Sequence, residues 1–152
     1  MSDLDELYQA VIVEHDRAPR HHGPLAGATH DATADNPLCG DVVTLHLRIE
    51  DGAIRDVSFE GRGCSLSRAA ASILSTMLAG RDLAYARALA AAFEAFIHAP
   101  PDTPAAPAPD TTALGELTAF AGVRRFRSRR ACATLAFRAL AAATAPATAS
   151  AR

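Results

Sequence analysis

The sequence predicts a fold that combines several helices with a short β-hairpin, and two patterns support this prediction. Apolar and polar residues alternate over residues 43–49, which is the period of a strand with one buried face. Asp51-Gly52 then predicts a hairpin turn, so a return strand is expected over residues 53–60. Apolar residues also recur at helical spacing on both sides of this hairpin. With 152 residues, the chain is long enough to bury its own core, and we expect one domain over residues 1–152.

The remaining elements follow from spacing and from helix-ending residues. Residues 3–17 predict an amphipathic helix that Ser2 caps and Pro19 ends. Residues 28–35 are polar and weakly extended, which favours an edge strand, and His46 falls on the polar face of its strand as a solvated residue. Four more helices are predicted after the hairpin. The first ends at Ala79 before Gly80, and the second covers residues 83–97. The third covers residues 111–121 and is ended by Gly122, and the fourth follows Cys132.

The composition argues against some broad classes of protein. A formal net charge of −2 gives no overall bias toward nucleic acid or membrane surfaces. The N-terminal residues are acidic and lack the basic-then-apolar order of a secretory signal, and no apolar run approaches the roughly 20 residues that cross a bilayer. We therefore expect a cytoplasmic protein, in which three cysteines are better explained as metal ligands or reactive thiols than as disulfide partners.

Three segments have a strongly biased composition. Residues 99–110 contain five prolines, which predicts an extended connector within the domain. Residues 144–152 are rich in Ala, Thr and Pro and predict a disordered tail. Residues 124–130 contain five arginines, which is a weak indication of nucleic-acid binding. In a chain of near-neutral charge, a docking surface or a positive field around thiolates is the stronger interpretation.

The candidate metal ligands are three cysteines and one carboxylate. Cys39 and Asp41 lie two residues apart in a turn that contains a proline and a glycine. Cys64 precedes a predicted helix that Ser65 or Ser67 caps, where the helix dipole favours thiolate. The third cysteine also lies near a predicted helix start, next to arginines that would lower its pKa. Together these residues are Cys39, Asp41, Cys64 and Cys132.

Three thiolates and a carboxylate are a suitable four-coordinate set for zinc. The spacing lacks the C-x₂-C pairs of structural zinc fingers, so the prediction depends on each cysteine lying at the boundary between a loop and an element. Ligands from separate segments, one of them a hard carboxylate, suggest a site that exchanges a ligand. A cysteine released from such a site stays a thiolate that can attack sulfur. On the residues alone, three unrelated cysteines remain an alternative.

The segments that hold these residues resemble a known family. Asn-Pro-Leu-Cys-Gly-Asp at residues 36–41, Gly-Arg-Gly-Cys-Ser-Leu-Ser at residues 61–67 and Arg-Arg-Ala-Cys-Ala-Thr-Leu at residues 129–135 are similar to the cysteine motifs of U-type iron–sulfur cluster assembly proteins. Residues 8–19 resemble the opening helix of that family, which includes IscU, SufU and the N-terminal domain of NifU. Ala131 stands where IscU-type members have a histidine, so the SufU branch fits better.

An extra stretch over residues 99–121 and the lead-in over residues 122–126 also resemble SufU. Two departures from the family pattern are the less polar residues 68–71 and the proline-rich connector, and both concern partner docking more than zinc binding.

This resemblance implies an α+β fold, with a small antiparallel sheet packed against several helices. It also implies zinc bound by the positions Cys39, Asp41, Cys64 and Cys132. A partner cysteine desulfurase would donate a histidine to the zinc, so that Cys39 accepts persulfide sulfur for delivery to iron–sulfur assembly proteins or apo-proteins. Arg129 would steady the thiolate or the incoming persulfide. The protein would then be a sulfurtransferase-like acceptor rather than a stand-alone enzyme.

Two other functions use the same residues. The four ligands could instead assemble a [2Fe–2S] cluster, which makes the protein a scaffold. Alternatively, zinc could be a purely structural clip in a protein-interaction module.

Overall fold

The computed structural model describes residues 3–101 and 114–145, with the backbone only for residues 3–5. The elements in chain order are α1 (Asp3–Arg17), β1 (His30–Asn36), β2 (Asp41–Glu50), β3 (Ala53–Arg62), α2 (Ser65–Leu78), α3 (Leu83–His98), a 3₁₀ helix (Gly115–Arg125) and α4 (Arg127–Ala143). None of the helices in the described ranges is long and apolar enough to span a membrane.

The three strands form one antiparallel sheet in the order β1-β2-β3. β2 and β3 are joined by the predicted turn at Asp51-Gly52, and the weak edge strand is β1. Alternating residues of β2 and β3 are buried on the inner face of the sheet, which is what the period of two requires. These buried residues are Val43, Leu45, Leu47, Val57 and Phe59. The prediction of an α+β fold with a small antiparallel sheet is therefore confirmed.

Helices cover the inner face of this sheet in two tiers. α2 packs against β3, and α4 packs against β1 and β2. α1, α3 and the 3₁₀ helix then pack against α2 and α4. An aromatic cluster joins three of these helices, because the Phe93 ring stacks on Phe137 at 4.4 Å and meets Phe120 edge-on at 6.0 Å.

A buried histidine attaches α1 to its neighbours. His15 is 3% exposed, and its Nδ1 lies 2.7 Å from Ser72 Oγ on α2. Its Nε2 lies 3.0 Å from Glu116 Oε1 on the 3₁₀ helix. The Ser72 hydroxyl also accepts a hydrogen bond from the Arg20 backbone N–H at 2.8 Å. These bonds hold both the end of α1 and the loop that follows it.

Several predicted boundaries are corrected by the structure. Gly122 does not end the last helix before α4, because the 3₁₀ helix continues to Arg125. This 3₁₀ helix runs from Gly115 to Arg125 with Phe126 as its C-cap, and the predicted helix start at residues 111–113 lies outside the described residues. The cap at Ser2, most of the connector (residues 102–110) and most of the tail (residues 146–152) lie outside the described residues.

His46 was predicted to be a solvated strand residue, and the structure contradicts this. Its side chain is 16% exposed and bridges all three strands. Nδ1 bonds to an Asp31 carboxylate oxygen on β1, and Nε2 lies 2.8 Å from Glu60 Oε2 on β3. Burial alone would lower the pKa of His46, but the two carboxylates raise it above its ordinary value of 6.5.

This arrangement predicts a pH-dependent stability. The folded state binds the His46 proton more tightly than the unfolded state, so the contribution is complete below about pH 6.5 and is lost as pH rises through the raised pKa. We expect the wild-type free energy of unfolding to fall by about 1 kcal/mol over this range, and His46→Gln to remove that fall. Urea unfolding at a series of pH values measures both.

His30→Gln is a matched control, because this exposed ring bonds to the adjacent Thr29 and does not bridge strands. The control should keep the wild-type pH dependence. An identical pH dependence in His46→Gln and wild type would contradict the bridging role.

Candidate metal centre

The candidate site lies at one end of the sheet, where three chain segments meet. Asn36 at the end of β1 pairs with Asp41 at the start of β2, and Arg62 at the end of β3 pairs with Val42. The β1–β2 turn and the β3–α2 junction therefore leave the sheet side by side. This brings Cys39 on the turn close to Cys64 at the junction, although the two residues are distant in sequence.

The β1–β2 turn holds Cys39 at an exposed position. Asn36 is buried, and its backbone carbonyl accepts hydrogen bonds from the N–H groups of Cys39 at 3.2 Å and Gly40 at 2.8 Å. Its side-chain Oδ1 accepts from the Leu38 N–H at 3.2 Å, which is an Asx turn. Gly40 has a φ of +76°, which lets the chain reverse tightly into β2. The thiol of Cys39 thus sits on a turn fixed by three hydrogen bonds.

The Asp41 carboxylate is buried and held from two sides. Asp41 is 3% exposed. Its Oδ1 accepts a hydrogen bond from the Cys64 backbone N–H at 3.2 Å, and its Oδ2 accepts from the Ser67 hydroxyl at 3.3 Å. Gly63 packs directly on it, since a Cβ added there would lie 2.6 Å from both Cγ and Oδ1 of Asp41. Only a residue without a side chain permits this approach.

Cys64 lies at the start of α2, as its sequence context predicts. It is the N-cap residue, it is exposed, and its Sγ lies 3.9 Å from Ser67 Oγ. The prediction that Ser65 or Ser67 caps this helix is wrong, because the cap position has no side-chain hydrogen bond. The Ser67 hydroxyl bonds instead to the Cys64 carbonyl at 3.1 Å and to Asp41.

Cys132 differs from the sequence prediction in its electrostatics. It is 7% exposed and is the sixth residue of α4, so it lies inside the helix rather than at its free N-terminus. Burial raises the pKa of the Cys132 thiol, and contacts with Cys64 and Asp41 raise it further. The expected lowering by neighbouring arginines is therefore wrong. Arg127 and Arg129 are exposed, so burial outweighs their charge at the buried Cys132 thiol.

The structure brings three of the four predicted ligands into one group. The ligand atoms of Cys39, Asp41 and Cys132 all lie within 4.8 Å of one another. Cys64 is not a member of this group of three. Its thiol contacts Asp41 and Cys132, but it does not satisfy the 4.8 Å separation from all three ligand atoms.

The donor set fits zinc. Cys39 Sγ lies 3.8 Å from Cys132 Sγ. Two sulfurs bound at 2.3 Å to one tetrahedral ion are about 3.8 Å apart, so this pair already has the separation that zinc requires. Burial would raise the pKa of Asp41, but hydrogen bonds from Cys132, Cys64 and Cys39 lower it below its ordinary value of 3.8. The buried carboxylate is therefore ionised, and it attracts a cation.

An open cleft of about 600 Å³ leads to these thiols. We call it the thiol cleft. Leu38 is 88% exposed beside Cys39, and Arg129 is exposed with its guanidinium 4.9 Å from the Phe126 ring centroid. The cleft walls come from α1, the β1–β2 turn, the 3₁₀ helix and α4, and they include Ile12, Val13, Leu38, Val123, Ser128 and Arg129.

Sequence reasoning missed the groups that support the carboxylate. Gly63 and Ser67 lie in the second cysteine motif, but their roles as a close contact and a hydrogen-bond donor depend on where β2 begins. A Cys-x-x-Ser pattern at a helix start is a signal that could have indicated Ser67.

A sheet end that gathers cysteines and a carboxylate beside an open cleft defines a class of α+β protein with a candidate metal centre. Residues 7–133 match the sequence profile of the NifU-like N-terminal domain, so the chain belongs to this family. The family identification made from the cysteine motifs is confirmed.

Two relatives and one solved structure illustrate the similarity. The chain is 36% identical over 140 residues to the iron–sulfur cluster assembly scaffold protein IscU of Streptococcus pyogenes serotype M1, covering 92% of this chain and 84% of that protein. It is 33% identical over 139 residues to the zinc-dependent sulfurtransferase SufU of Bacillus subtilis strain 168, covering 91% and 90%. A nitrogen-fixing NifU-like N-terminal protein from Brucella abortus superposes with a TM-score of 0.77 at 27% identity, covering 93% and 94%.

The close approach of Gly63 to Asp41 generates a prediction. Gly63→Ala should displace the carboxylate, because the added Cβ overlaps it and because the φ of +154° disfavours any side chain. We expect zinc affinity to fall at least about tenfold, which is typical when the support of a metal ligand is lost. Competition with a chromophoric chelator measures the affinity.

Gly122→Ala is the matched control. A Cβ at this position would meet no heavy atom within 4 Å, and Gly122 has no positive φ. Its zinc affinity should equal that of the wild type. Wild-type affinity in Gly63→Ala would show that the carboxylate does not need the space that Gly63 leaves.

Proposed function

We propose that this protein acts in iron–sulfur cluster assembly, binds zinc through Cys39, Asp41, Cys64 and Cys132, and accepts persulfide sulfur from a cysteine desulfurase. Family membership supports the assembly role. The relative named a zinc-dependent sulfurtransferase covers nearly the whole chain and supports the transfer role. A cytoplasmic location stays a prediction.

The observation that carries this proposal is the graded exposure of the ligands. Asp41 and Cys132 are 3% and 7% exposed, whereas Cys39 is exposed at the tip of a turn. A purely structural zinc site encloses all of its ligands. Here two thiols, those of Cys39 and Cys64, are exposed beside an open cleft that the reactive segment of a large partner can enter, and Cys39 is the one on the projecting turn.

Zinc, when bound, would keep its cysteine ligands as thiolates at neutral pH and would compensate the buried Asp41 charge. The protein's own residues then prepare Cys39 for reaction. The Asn36 turn orients the thiol, and the apolar side chains of Val13 and Leu38 border its approach.

The proposed step is a thiol–persulfide exchange. The Cys39 thiolate attacks the outer sulfur of a persulfide on the partner's cysteine. A new S–S bond forms to Cys39, the partner's S–S bond breaks, and its electron pair remains on the partner's cysteine as a thiolate. The proton stays on the transferred sulfur, so no further oxidant or reductant is needed. Downstream assembly proteins or apo-proteins would receive the sulfur.

Arg129 is proposed to support this step by charge. It lines the thiol cleft, and its ring contact with Phe126 restrains the guanidinium beside the opening. A positive charge there favours the anionic thiolate and persulfide. It lies outside the ligand group and is therefore a supporting residue.

Replacing the acceptor thiol tests the proposal. Cys39→Ala should abolish the stimulation of cysteine desulfurase turnover, because no nucleophile remains to remove the persulfide. Turnover is measured as alanine release from cysteine with and without this protein. Arg55→Ala, an exposed residue near the hairpin at the opposite end of the sheet, should stimulate like wild type. Undiminished stimulation by Cys39→Ala would eliminate the transfer function.

The scaffold function is the second candidate, and the relative named as an IscU scaffold favours it. Three cysteines around an open cleft could also hold a [2Fe–2S] cluster. Anaerobic reconstitution with iron and sulfide separates the two functions. Tight zinc that resists replacement supports sulfur transfer, whereas a stable coloured cluster supports the scaffold. A structural clip would be supported if chelation unfolded the protein and no thiol formed a persulfide.

A further inference from the structure

The first turns of α4 separate two clefts. At about 100° per residue, Ser128, Arg129 and Cys132 fall on one side of the helix and face the thiol cleft. Arg127, Arg130 and Arg138 fall on another side, where they line a second cleft of about 440 Å³. We call this second cleft the arginine cleft.

The arginine cleft is strongly positive. Its other lining residues include His98, Asn36 and Thr134, and no carboxylate of the described residues lines it. Arg127 and Arg138 are exposed and form no ion pair within residues 3–101 and 114–145. Arg130 donates a hydrogen bond to the Arg124 carbonyl at 2.6 Å. Within the same described residues, no carboxylate pairs with its charge. Among the lining residues, His98 has a carboxylate partner, since its Nε2 lies 3.0 Å from Glu94 Oε2 on α3.

The spacing of these charges indicates the shape of the ligand. From Arg127 to Arg138 the helix rises about 16 Å, at 1.5 Å per residue. A single phosphate or sulfate is far shorter than this row of backbone positions, whereas a ligand of matching length can engage the arginines along all of it. An extended polypeptide rises about 3.3 Å per residue, so a run of about five residues spans the same distance. Acidic side chains along such a run would each meet a guanidinium.

A nucleic acid fits this cleft less well. Single-stranded nucleic acid is usually held by aromatic rings on which bases stack, as well as by positive charge. Among the residues that the structure describes, no Phe, Tyr or Trp lines the arginine cleft, and the whole chain has a net charge of −2.

We propose that the arginine cleft binds an extended acidic segment of a partner protein. Asn36 lines both clefts, so the bound segment would lie directly behind the turn that carries Cys39. A partner held there could place a neighbouring part of its surface at the thiol cleft. The binding itself needs neither zinc nor the sulfur chemistry proposed above.

Fluorescence anisotropy with a fluorescein-labelled hexaglutamate peptide at low ionic strength tests this site in the full-length protein. The wild type should bind the peptide, and the double substitution Arg127→Glu and Arg138→Glu should weaken binding at least tenfold. The matched control is Arg17→Glu with Arg55→Glu, which makes the same change in net charge at two exposed arginines that do not line the cleft. Binding by the control should stay within about twofold of wild type.

Three results would overturn the proposal. One is the absence of specific binding, seen either as no binding by the wild type or as equal weakening in both double variants. Equal weakening would indicate only a general charge effect. A second is tighter binding of a single-stranded oligonucleotide of equal charge that is lost in the same variant, which would make this a nucleic-acid site. The third is complete displacement of the peptide by millimolar phosphate, which would make it a small-anion site. If the glutamate variant melts at a lower temperature, Arg127→Ala with Arg138→Ala replaces it and the same criteria apply.

Discussion

The carboxylate of Asp41 lies at the end of the sheet, buried, and accepts hydrogen bonds from the Cys64 amide and the Ser67 hydroxyl. A buried carboxylate is costly unless donors or a cation compensate it, so its surroundings must be built around it. The strand register places it beside the β3–α2 junction, and Gly63 leaves the space that it occupies. Because Cys39 and Cys132 meet at the same point, this one group organises the whole candidate site.

The candidate site combines buried ligands with ligands that are exposed to solvent. Asp41 and Cys132 are buried in the sheet and in α4, whose rings and alanines form much of the core. Cys39 lies instead on a turn, and the cleft beside it is closed on one side by α1, which His15 ties to α2 and to the 3₁₀ helix. The buried ligands would hold a bound metal in place, while the exposed thiols at the cleft can meet a partner. This division suits a site that both holds an ion and exchanges a ligand.

Local patterns in the sequence predict the elements well, whereas properties that depend on tertiary contacts escape them. The alternation over β2 and the Asp51-Gly52 turn are sufficient to predict the hairpin, since each is a local signal. The environment of Cys132 is not local, because burial under distant segments raises its pKa despite the neighbouring arginines. The environment of His46 is not local in sequence either, because its two carboxylate partners lie on other strands. Motif resemblance identified the ligand candidates, but the sulfur–sulfur contact across 93 residues required the fold.

X-ray absorption at the zinc edge of the freshly purified protein identifies the atoms that bind the metal. We expect one zinc per chain with three sulfur neighbours at about 2.3 Å and one oxygen neighbour at about 2.0–2.2 Å, from the three cysteines and Asp41. Absence of metal, or zinc bound only by nitrogen and oxygen, would contradict zinc binding by Cys39, Cys64 and Cys132, because the proposed thiolates would then hold no ion.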